Sequence, residues 1–340
     1  MRLILVGFGT VGQGLAEILR DKAPELREQY GFSARIVGVA TGRRGSLYDP
    51  NGLNIDHLLT AALSHLDDYP DSPALQRNLP TDQLIREAQA DVMVEASPSN
   101  LQTAQPALDY CMAALTSGKH VVMANKGPVS IAYRELAQTA QQNGKKLGFE
   151  ATVMAGTPAM RLALEGLAGC RILQAKGILN GTTNYILEQM ASGMDYDEAL
   201  AQAQSLGYAE TDPTADVDGW DAAGKAVILA NVLFGGTHAE EQGTIAVRGI
   251  RDITPEQIQA AQAAGERWKL VVRVSPHSSV VRPVRVPLSD PLAHVGGAVN
   301  AVTYTTDLLG DVTLVGPGAG RLQTGFGLLA DLLAIHRAVS

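Results

Sequence analysis

Cysteine is nearly absent from this chain of 340 residues. Its two cysteines, Cys111 and Cys170, are too few for a framework of disulfide bridges, and neither lies in a CxxC or similar ligand spacing. Both lie in apolar segments that we predict to be helical, where a thiol is typically buried and structural. A reducing compartment is therefore expected, and we predict a cytoplasmic location.

Long apolar runs and an excess of positive charge are lacking as well. No apolar run reaches the roughly 18 residues that a membrane-spanning helix needs, and the chain begins directly with a strand-like run, so we expect no signal peptide. With 27 lysines and arginines against 35 acidic residues, the net charge is −8, which argues against nucleic acid and anionic membrane as partners. The seven histidines show no zinc-ligand spacing. A small-molecule substrate is the expected partner.

The N-terminus carries a dinucleotide-binding pattern. Residues 1–6, MRLILV, form a short apolar run that predicts a buried strand. A glycine-rich turn and a helical repeat of apolar residues follow. In such a strand–turn–helix setting the first glycine makes the turn, the second lets the backbone approach a pyrophosphate, and the third lets the helix pack on the strand. The predicted cofactor-binding residues of this turn are Gly7, Phe8, Gly9, Thr10, Val11 and Gly12. The alternative is a purely structural glycine turn.

The end of the next predicted strand, residues 34–40, bears on the type of dinucleotide. NAD-specific folds place Asp or Glu there to bind the ribose 2′-hydroxyl. Here Arg43 and Arg44 follow Thr41 and Gly42 instead. A guanidinium group offers a bidentate fork to phosphate oxygens, so we predict NADP, with NAD as the alternative. The alternative is that both arginines are solvated loop residues.

An acidic segment, GYAETDPTADVDGWDAAGK at 207–225, runs directly into a strongly apolar helix. Asp221 and Lys225 lie four residues apart, so they share one face of that helix. A partly buried lysine, held by an acidic neighbour, can exchange a proton with a substrate oxygen. The alternative is an ordinary surface ion pair.

Three loops complete the set of candidates. Ser97 follows a predicted strand at 91–96, where the nicotinamide ribose of a bound cofactor is expected. Lys126 follows the strand VVMAN and is a candidate for the mouth of the active site. Gly181, Thr182, Thr183 and Asn184 follow a strand end and precede an amphipathic helix, so the threonines and the asparagine can cap the helix while hydroxyl groups face a cleft. The alternative is capping without a ligand. A further strand is predicted at LGFEATV, residues 147–153.

Taken in order along nearly the whole chain, seven segments resemble homoserine dehydrogenase. These are GFGTVGQG at 7, ANKGP at 124, FEATV at 149, GILNGTTNYIL at 177, GYAETDPTADVDGWDAAGK at 207, GIRDIT at 249 and GPGAG at 316. The resemblance implies reversible NAD(P)H-dependent reduction of L-aspartate 4-semialdehyde to L-homoserine, a step of threonine and methionine biosynthesis.

The resemblance also implies roles for individual residues. Lys225 would transfer the proton, with Asp221 orienting it or binding the substrate hydroxyl. Glu210 would bind the substrate ammonium, with Asp216 close by and Thr182 lining the pocket. The substrate is zwitterionic, so an anionic group for its ammonium is needed, and developing charge on its oxygen must be met by a proton or cation.

For the cofactor, the resemblance places Lys126 near the nicotinamide and the reacting carbon. It extends the cofactor site to Ser97, Gly207, Gly318 and Gly320. It also implies a sodium-like cation, for which oxygen ligands are suited. The implied ligands are Glu150, Val153, Ala155 and Thr157, next to Met154, where many relatives carry glycine.

The predicted fold class is α/β, an N-terminal Rossmann nucleotide-binding domain followed by an α+β catalytic and dimerisation domain with a mixed sheet. The predicted ranges are 1–130 for the first domain and 131–317 for the second, with a C-terminal helix at 318–340 returning to the first. The alternating runs KLVVRV and SVVRPVRV predict strands of the mixed sheet. We expect such strands to pair across a homodimer interface.

Two other functions remain open from the sequence. One is a different Rossmann oxidoreductase acting on a sugar or polyol, which the segment from Glu210 to Lys225 disfavours. Within the same class of oxidoreductases, a thioester-forming semialdehyde dehydrogenase is a less favoured alternative, because neither cysteine has a histidine partner nearby in the sequence. The other is a nucleotide sensor without turnover, which would bind the cofactor and show no rate.

Overall fold

The computed structural model of the chain describes residues 1–235 and 245–339. The predicted ranges 131–317 and 318–340 therefore each include residues that lie outside the described ones. The chain divides into two compact units, Met1–Gly156 with Gly320–Ser340, and Thr157–Ala319. We call them unit 1 and unit 2.

Unit 1 alternates strands and helices. Its elements are β1 Arg2–Val6, α1 Thr10–Asp21, α2 Ala23–Tyr30, β2 Arg35–Ala40, β3 Ser46–Tyr48, α3 Ile55–Ala61, β4 Gln76–Arg77, α4 Thr81–Glu87, β5 Val92–Glu95, α5 Ala107–Thr116, β6 His120–Met123, α6 Lys126–Gln142, β7 Leu147–Gly148 and, from the C-terminus, α13 Arg321–Val339.

The described part of unit 1 contains one seven-stranded sheet in the order β4-β3-β2-β1-β5-β6-β7. The five neighbouring strands β2, β1, β5, β6 and β7 run parallel, whereas β3 and β4 add an antiparallel edge. Leu3, Ile4 and Leu5 of β1 are fully buried, as expected for a central parallel strand covered on both faces. The carboxyl ends of β1 and β5 meet at the edge where the chain order reverses, which is where such sheets bind ligands.

Helices α1 and α13 lie against each other in unit 1. A Cβ on Gly14 would come within 2.3 Å of the Arg321 carbonyl oxygen, and one on Gly325 within 2.8 Å of the Gly14 backbone. Glycine is therefore needed on both helices for this close approach. Arg321 forms a two-pronged ion pair with Glu17 of α1, at 2.5 and 2.9 Å.

Unit 2 is built around a second sheet. Its elements are α7 Ala159–Arg161, β8 Ile172–Ile178, α8 Gly181–Ala191, α9 Tyr196–Ser205, α10 Thr214–Val217, α11 Trp220–Phe234, β9 Ala246–Val247, α12 Pro255–Ala263, β10 Glu266–Ser275, β11 Ser278–Pro287, β12 Val299–Thr306 and β13 Gly310–Pro317.

Within the described residues this second sheet has six strands, in the order β13-β12-β8-β10-β11-β9. It is mixed, because β9 runs parallel to β11 while the other pairs are antiparallel. Helix α11 packs on β10 and β11, on the face that carries Val281, since a Cβ on Gly219 at its start would touch that side chain. Helix α8 covers the opposite face, where its Asn184 accepts a hydrogen bond from Lys269 of β10 at 2.8 Å. The predicted fold class and the two predicted strands of the mixed sheet are confirmed.

Two local predictions are wrong. The strand predicted at 147–153 ends at Gly148 and continues as a 3-10 turn at Glu150–Thr152, because the Glu150 amide donates to Asp331 of α13 at 2.9 Å rather than to a strand. Cys170 lies in a turn before β8 and is partly exposed, whereas Cys111 is buried in α5 as predicted. None of the helices in the described residues is both long and apolar enough to span a membrane.

Candidate active site

The glycine-rich turn of unit 1 joins β1 to α1. Gly7 has a φ of +94°, and a Cβ on it would lie 2.4 Å from the Ala96 carbonyl oxygen and the Ser97 nitrogen. A Cβ on Gly12 would lie 2.5 Å from the Gly7 carbonyl oxygen. Both positions therefore need glycine, the first because of its backbone conformation and both because of close approach.

The N-terminus of α1 fits the phosphates of a dinucleotide. Gly9 is its N-cap, no side chain accepts from the first amides, and no acidic residue lies in the first turn. A Cβ on Gly9 would meet nothing within 4 Å, so the space beside the turn is open. Free amides and the positive end of a helix dipole favour an anion at this place. Thr10 is exposed, Val11 is half-buried and Phe8 belongs to the core.

The two arginines after β2 differ from each other. The Arg44 guanidinium donates to the carbonyl oxygen of Ala62, and the Arg44 amide donates to Thr41 Oγ1 at 2.8 Å. Arg44 therefore has a structural partner within unit 1. Arg43 is exposed, and its side chain has no partner among the residues that the structure describes. Arg43 is the better placed of the two to meet a ligand.

A buried carboxyl group, Glu95, ends strand β5 next to the glycine-rich turn. Its Oε1 accepts from the Ser97 amide at 2.9 Å, from Ser97 Oγ, and from Asn125 Nδ2 at 3.4 Å. Its Oε2 is buried without a hydrogen-bond partner among the described residues. Burial raises the pKa of Glu95 to about 7, although the donors of Ser97 and Asn125 act in the opposite direction.

Asn125 connects this carboxyl group to the next helix. Its Oδ1 caps α6 by accepting from the Gly127 amide at 3.0 Å, while its Nδ2 also donates to Ser97 Oγ at 3.2 Å. Lys126, the first residue of α6, is half-buried, and its amide donates to Ser99 Oγ at 3.0 Å. The start of α6 and the loop that contains Ser97 and Ser99 are therefore bonded to each other at the carboxyl edge of the sheet.

In unit 2, the end of β8 carries the second part of the candidate site. Asn180 follows this strand and caps α8, its Oδ1 accepting from the Thr183 amide at 2.9 Å. Its Nδ2 donates to Asp216 Oδ1 at 2.7 Å and to Asp221 Oδ2 at 3.1 Å. One amide thus holds two carboxylates that come from separate helices, α10 and α11.

Lys225 completes this cluster. Its Nζ donates to Asp221 Oδ2 at 2.8 Å and to the Leu179 carbonyl oxygen at 2.6 Å. The residue is only 7% exposed, because the rest of α11 around it is apolar and packs on the sheet. The pair is therefore not a solvated surface ion pair.

The environment of Asp216 differs from that of Asp221. Burial is the main cause that raises the pKa of Asp216, and the nearby charge of Asp221 adds to it, while hydrogen bonds from Asn180 and Thr182 act the other way. The hydroxyl of Thr182 also donates to the Tyr208 carbonyl oxygen at 2.7 Å. Asn180, Thr182, Asp216, Asp221 and Lys225 therefore lie together at one end of unit 2.

Other predicted site residues lie outside this cluster. Glu210 is exposed on the loop between α9 and α10, and its carboxylate has no partner among the described residues. Gly207 ends α9 with a φ of +74°, and Gly320 has a φ of +128°. Gly318 lies directly against the side chain of Asn300, since a Cβ on it would be 2.1 Å from Asn300 Cγ.

The residues predicted to bind a cation belong to both units. Glu150, Val153 and Ala155 lie in unit 1 and are buried, with Ala155 at a φ of +51°. Thr157 lies in unit 2, where its hydroxyl donates to the Pro317 carbonyl oxygen at 2.8 Å. Among the described residues no group of three or more His, Cys, Asp or Glu side chains could hold a metal ion. The predicted set is of another kind, with one carboxylate and several carbonyl groups, and it stays a prediction.

Sequence reasoning did not select Glu95, Asn125 or Asn180 as site residues. Each has a signal in the sequence: Glu95 is the last residue of an apolar strand, and each asparagine stands between a strand and a helix, where it favours an N-cap. What the sequence does not contain is the second hydrogen bond of each asparagine, to a carboxylate distant along the chain.

Two family models match the chain. One, described as homoserine dehydrogenase, NAD binding domain, matches residues 7–150, and the other, described as homoserine dehydrogenase, matches residues 158–333. The NAD(+)-dependent homoserine dehydrogenase of Pseudomonas canavaninivorans is 38% identical over 351 residues, covering 100% of this chain and 97% of the relative. The homoserine dehydrogenase of Methanocaldococcus jannaschii is 39% identical over 341 residues, covering 99% of each.

Solved structures give the same comparison. A hyperthermophilic archaeal homoserine dehydrogenase in complex with NADPH has a TM-score of 0.84 and 30% identity, covering 99% of this chain and 98% of the other. A homoserine dehydrogenase from Thiobacillus denitrificans has a TM-score of 0.83 and 32% identity, covering 100% of this chain and 74% of the other.

Proposed function

The chain belongs to the homoserine dehydrogenase family, and we propose that Lys225 is the residue that exchanges a proton with the substrate oxygen in its reaction. The protein is an NAD(P)-dependent oxidoreductase acting on a CH–OH group. Its reaction is the reversible reduction of L-aspartate 4-semialdehyde to L-homoserine, which belongs to amino-acid biosynthesis.

The observation that carries the proposal is the setting of Lys225. Two of its three N–H groups are bonded, to Asp221 and to the Leu179 carbonyl oxygen. Buried polar groups need partners, and a substrate oxygen can accept from the third N–H. Asp221 fixes the direction of the lysine side chain and keeps an opposite charge beside it.

The chemistry assigns each group a task. A bound NAD(P)H supplies hydride to the carbonyl carbon of the semialdehyde. Negative charge then develops on the carbonyl oxygen, and Lys225 neutralises it by donating a proton. In the direction of homoserine oxidation, Lys225 accepts the hydroxyl proton.

The remaining polar residues bind and orient the substrate. Asp216 and Asp221 surround the lysine with acidic groups, and Thr182 lies beside them. We assign the substrate ammonium to Glu210, whose exposed carboxylate is unpartnered among the described residues. Lys126 is proposed to meet the reacting end of the cofactor, because it begins α6 at the carboxyl edge of the sheet and its amide is bonded to the loop that contains Ser97 and Ser99.

The test replaces Lys225 by methionine. In Lys225→Met we expect kcat for L-homoserine oxidation to fall by about 10²- to 10⁴-fold, while the affinity for NADPH, measured by fluorescence titration, is unchanged. The matched control is Lys176→Met, which removes the lysine of another unit 2 ion pair, with Asp290 at 2.7 Å. That variant should retain kcat, and retention of kcat in Lys225→Met would refute the role. A wild-type protein that binds NADPH without any rate would instead be a sensor.

The proposed cofactor preference is NADP, through Arg43 and the N-terminal turn of α1. In Arg43→Ala, KM for NADP should rise by about 10-fold or more, since a charge-assisted hydrogen bond to the 2′-phosphate is lost. KM for NAD should stay unchanged, because NAD lacks that phosphate. Equal effects on both cofactors would contradict the assignment. The turn Gly7–Gly12 and the residues Ser97, Gly207, Gly318 and Gly320 are proposed to line the same cofactor.

A homodimer formed through the mixed sheet is proposed as the assembly. The strands expected to pair across the interface, β10 and β11, lie inside the described sheet, so the interface is assigned instead to the edge strand β13, on which Val315 is 52% exposed. Edge strands with exposed apolar groups favour pairing with another chain. Light scattering at micromolar concentration should give twice the mass of one chain, and the mass of one chain would refute the dimer.

Two further parts of the proposal rest on general chemistry. A sodium-like cation at Glu150, Val153, Ala155 and Thr157 agrees with an all-oxygen set of ligands, and replacement of sodium by choline should then lower the thermal midpoint. A cytoplasmic location agrees with two free cysteines, and cell fractionation would test it.

A further inference from the structure

We propose that Asn300 is a substrate-binding residue of unit 2, whose carboxamide binds the α-carboxylate and the α-ammonium group of the amino-acid substrate. This inference rests on the proposed function. Asn300 lies near the start of β12 and is 1% exposed, and neither its Nδ2 nor its Oδ1 has a hydrogen-bond partner among the described residues. A buried amide with both ends unpaired is costly in a folded protein.

The sheet register puts Asn300 beside the Lys225 cluster. Strand β12 is antiparallel to β8, and Ala301 is opposite Ile178. Asn300 is therefore opposite Leu179, and the carbonyl oxygen of Leu179 accepts from Lys225 Nζ at 2.6 Å. Residues opposite each other in such a pair have Cα atoms roughly 5 Å apart.

Side-chain alternation puts Asn300 on the face that α11 covers. Asn300 shares its face with Val302, since alternate residues of a strand point the same way. Val302 is opposite Gly177, which is opposite Val272, which in turn is opposite Val281. Val281 contacts the start of α11, as the position of Gly219 indicates. Asn300 and Lys225 thus approach the same end of unit 2 from the sheet and from the helix.

Gly318 leaves room for this carboxamide. A Cβ at position 318 would lie 2.1 Å from both Cγ and Nδ2 of Asn300. Any other residue there would displace the side chain of Asn300. The glycine therefore keeps the amide in place without bonding to it.

The donors at this end of unit 2 explain why an amide is needed. Both N–H groups of Asn180 are bonded to carboxylates, and the hydroxyl of Thr182 donates to Tyr208. The side chains around Lys225 thus supply acidic oxygens in excess, which suit an ammonium but repel a carboxylate. The Nδ2 of Asn300 is a side-chain donor still available for the substrate carboxylate, and its Oδ1 can accept from the neighbouring ammonium.

The test compares two ligands that differ in the carboxylate alone. L-Homoserine carries it, and 3-aminopropan-1-ol does not. In Asn300→Asp a second carboxylate faces that of homoserine, so we expect KM for L-homoserine to rise by about 100-fold. The inhibition constant of 3-aminopropan-1-ol, measured in competition with homoserine, should stay equal or fall, because the ammonium gains an anionic partner. In Asn300→Ala, binding of homoserine should weaken by about 10-fold or more, and by less for the amino alcohol.

The control variant is Thr303→Val, on the same strand and the opposite face, where its hydroxyl bonds to Thr313 at 2.8 Å. It should leave the binding of both ligands unchanged, and thermal unfolding verifies that each variant is folded. A parallel loss for both ligands would mean that Asn300 only supports the fold, and unchanged binding would mean that its partner is a buried water. Either result overturns the proposal. A wild-type protein inactive on homoserine would overturn the proposed function itself, whatever the variants show.

Discussion

Both units contain the same arrangement of an asparagine with carboxyl groups, but the carboxyl groups have a cationic neighbour in one unit only. In each, an asparagine between a strand and a helix caps the helix with Oδ1 and donates with Nδ2 to carboxyl groups. In unit 1, Asn125 caps α6 and donates to Glu95. In unit 2, Asn180 caps α8 and donates to Asp216 and Asp221.

The difference between them is one cation. Lys225 lies 2.8 Å from Asp221, whereas no lysine or arginine is bonded to Glu95 among the described residues. Without a cation, burial is the main influence on Glu95 and raises its pKa to about 7. Burial raises the pKa of Asp216 in unit 2 as well, but there the positive charge of Lys225 acts in the opposite direction. The comparison teaches that hydrogen-bond donors alone do not keep a buried carboxyl group ionised near neutral pH.

The largest effect on activity is expected from replacing the asparagine of unit 2, Asn180. Asn180→Asp keeps a capping oxygen for α8 but places a third carboxylate against Asp216 and Asp221. We expect kcat for homoserine oxidation to fall by roughly 100-fold or more, because Lys225 is drawn to the new charge and loses its direction. The measurement is steady-state kinetics, with circular dichroism to verify folding. Asn180→Ser, which keeps the cap and adds no charge, should lose less, and equal losses would show that the missing Nδ2 donor, and not the added charge, lowers kcat.

The comparison also shows what the sequence could predict. The glycine-rich turn and the pair of Asp221 and Lys225 are local patterns, whose spacing determines backbone conformation or a shared helix face. The strands β10 and β11 follow from alternation. The surroundings of Asn125, Asn180 and Asn300 depend on which strands, distant along the chain, become neighbours. The register of such strands cannot be predicted from the sequence of any one segment. The strand prediction at 147–153 was wrong for a similar reason, since the backbone of Glu150 bonds to α13 rather than to a strand.

A second prediction concerns the uncompensated carboxyl group of unit 1. Between pH 4.5 and about 7, Glu95 binds a proton in the folded protein that the unfolded chain releases. The free energy of unfolding should therefore decrease as pH rises through that range. Glu95→Gln cannot ionise, so its stability relative to wild type should increase by roughly 2–3 kcal/mol between pH 5 and pH 8. Urea unfolding at the two pH values measures this difference.

The control for Glu95 is Glu17, whose pKa is lowered by its hydrogen bond with Arg321. It is ionised in both folded and unfolded states above pH 5, so Glu17→Gln should show no change in relative stability between pH 5 and pH 8. If Glu95→Gln and Glu17→Gln show the same change in relative stability between pH 5 and pH 8, the burial of Glu95 is not the cause of the pH dependence.

The smallest effect is expected from separating the two functions of Asn125. Asn125→Ser retains an oxygen that can cap α6, but it removes the Nδ2 that donates to Glu95 and to the Ser97 and Pro98 carbonyl oxygens. We expect a loss of about 1 kcal/mol in the free energy of unfolding. The pKa of Glu95 should move further upward, because a donor that favours its ionised form is gone. The pH dependence of urea unfolding should shift accordingly, and a shift toward lower pH would mean that the amide of Asn125 does not act on Glu95.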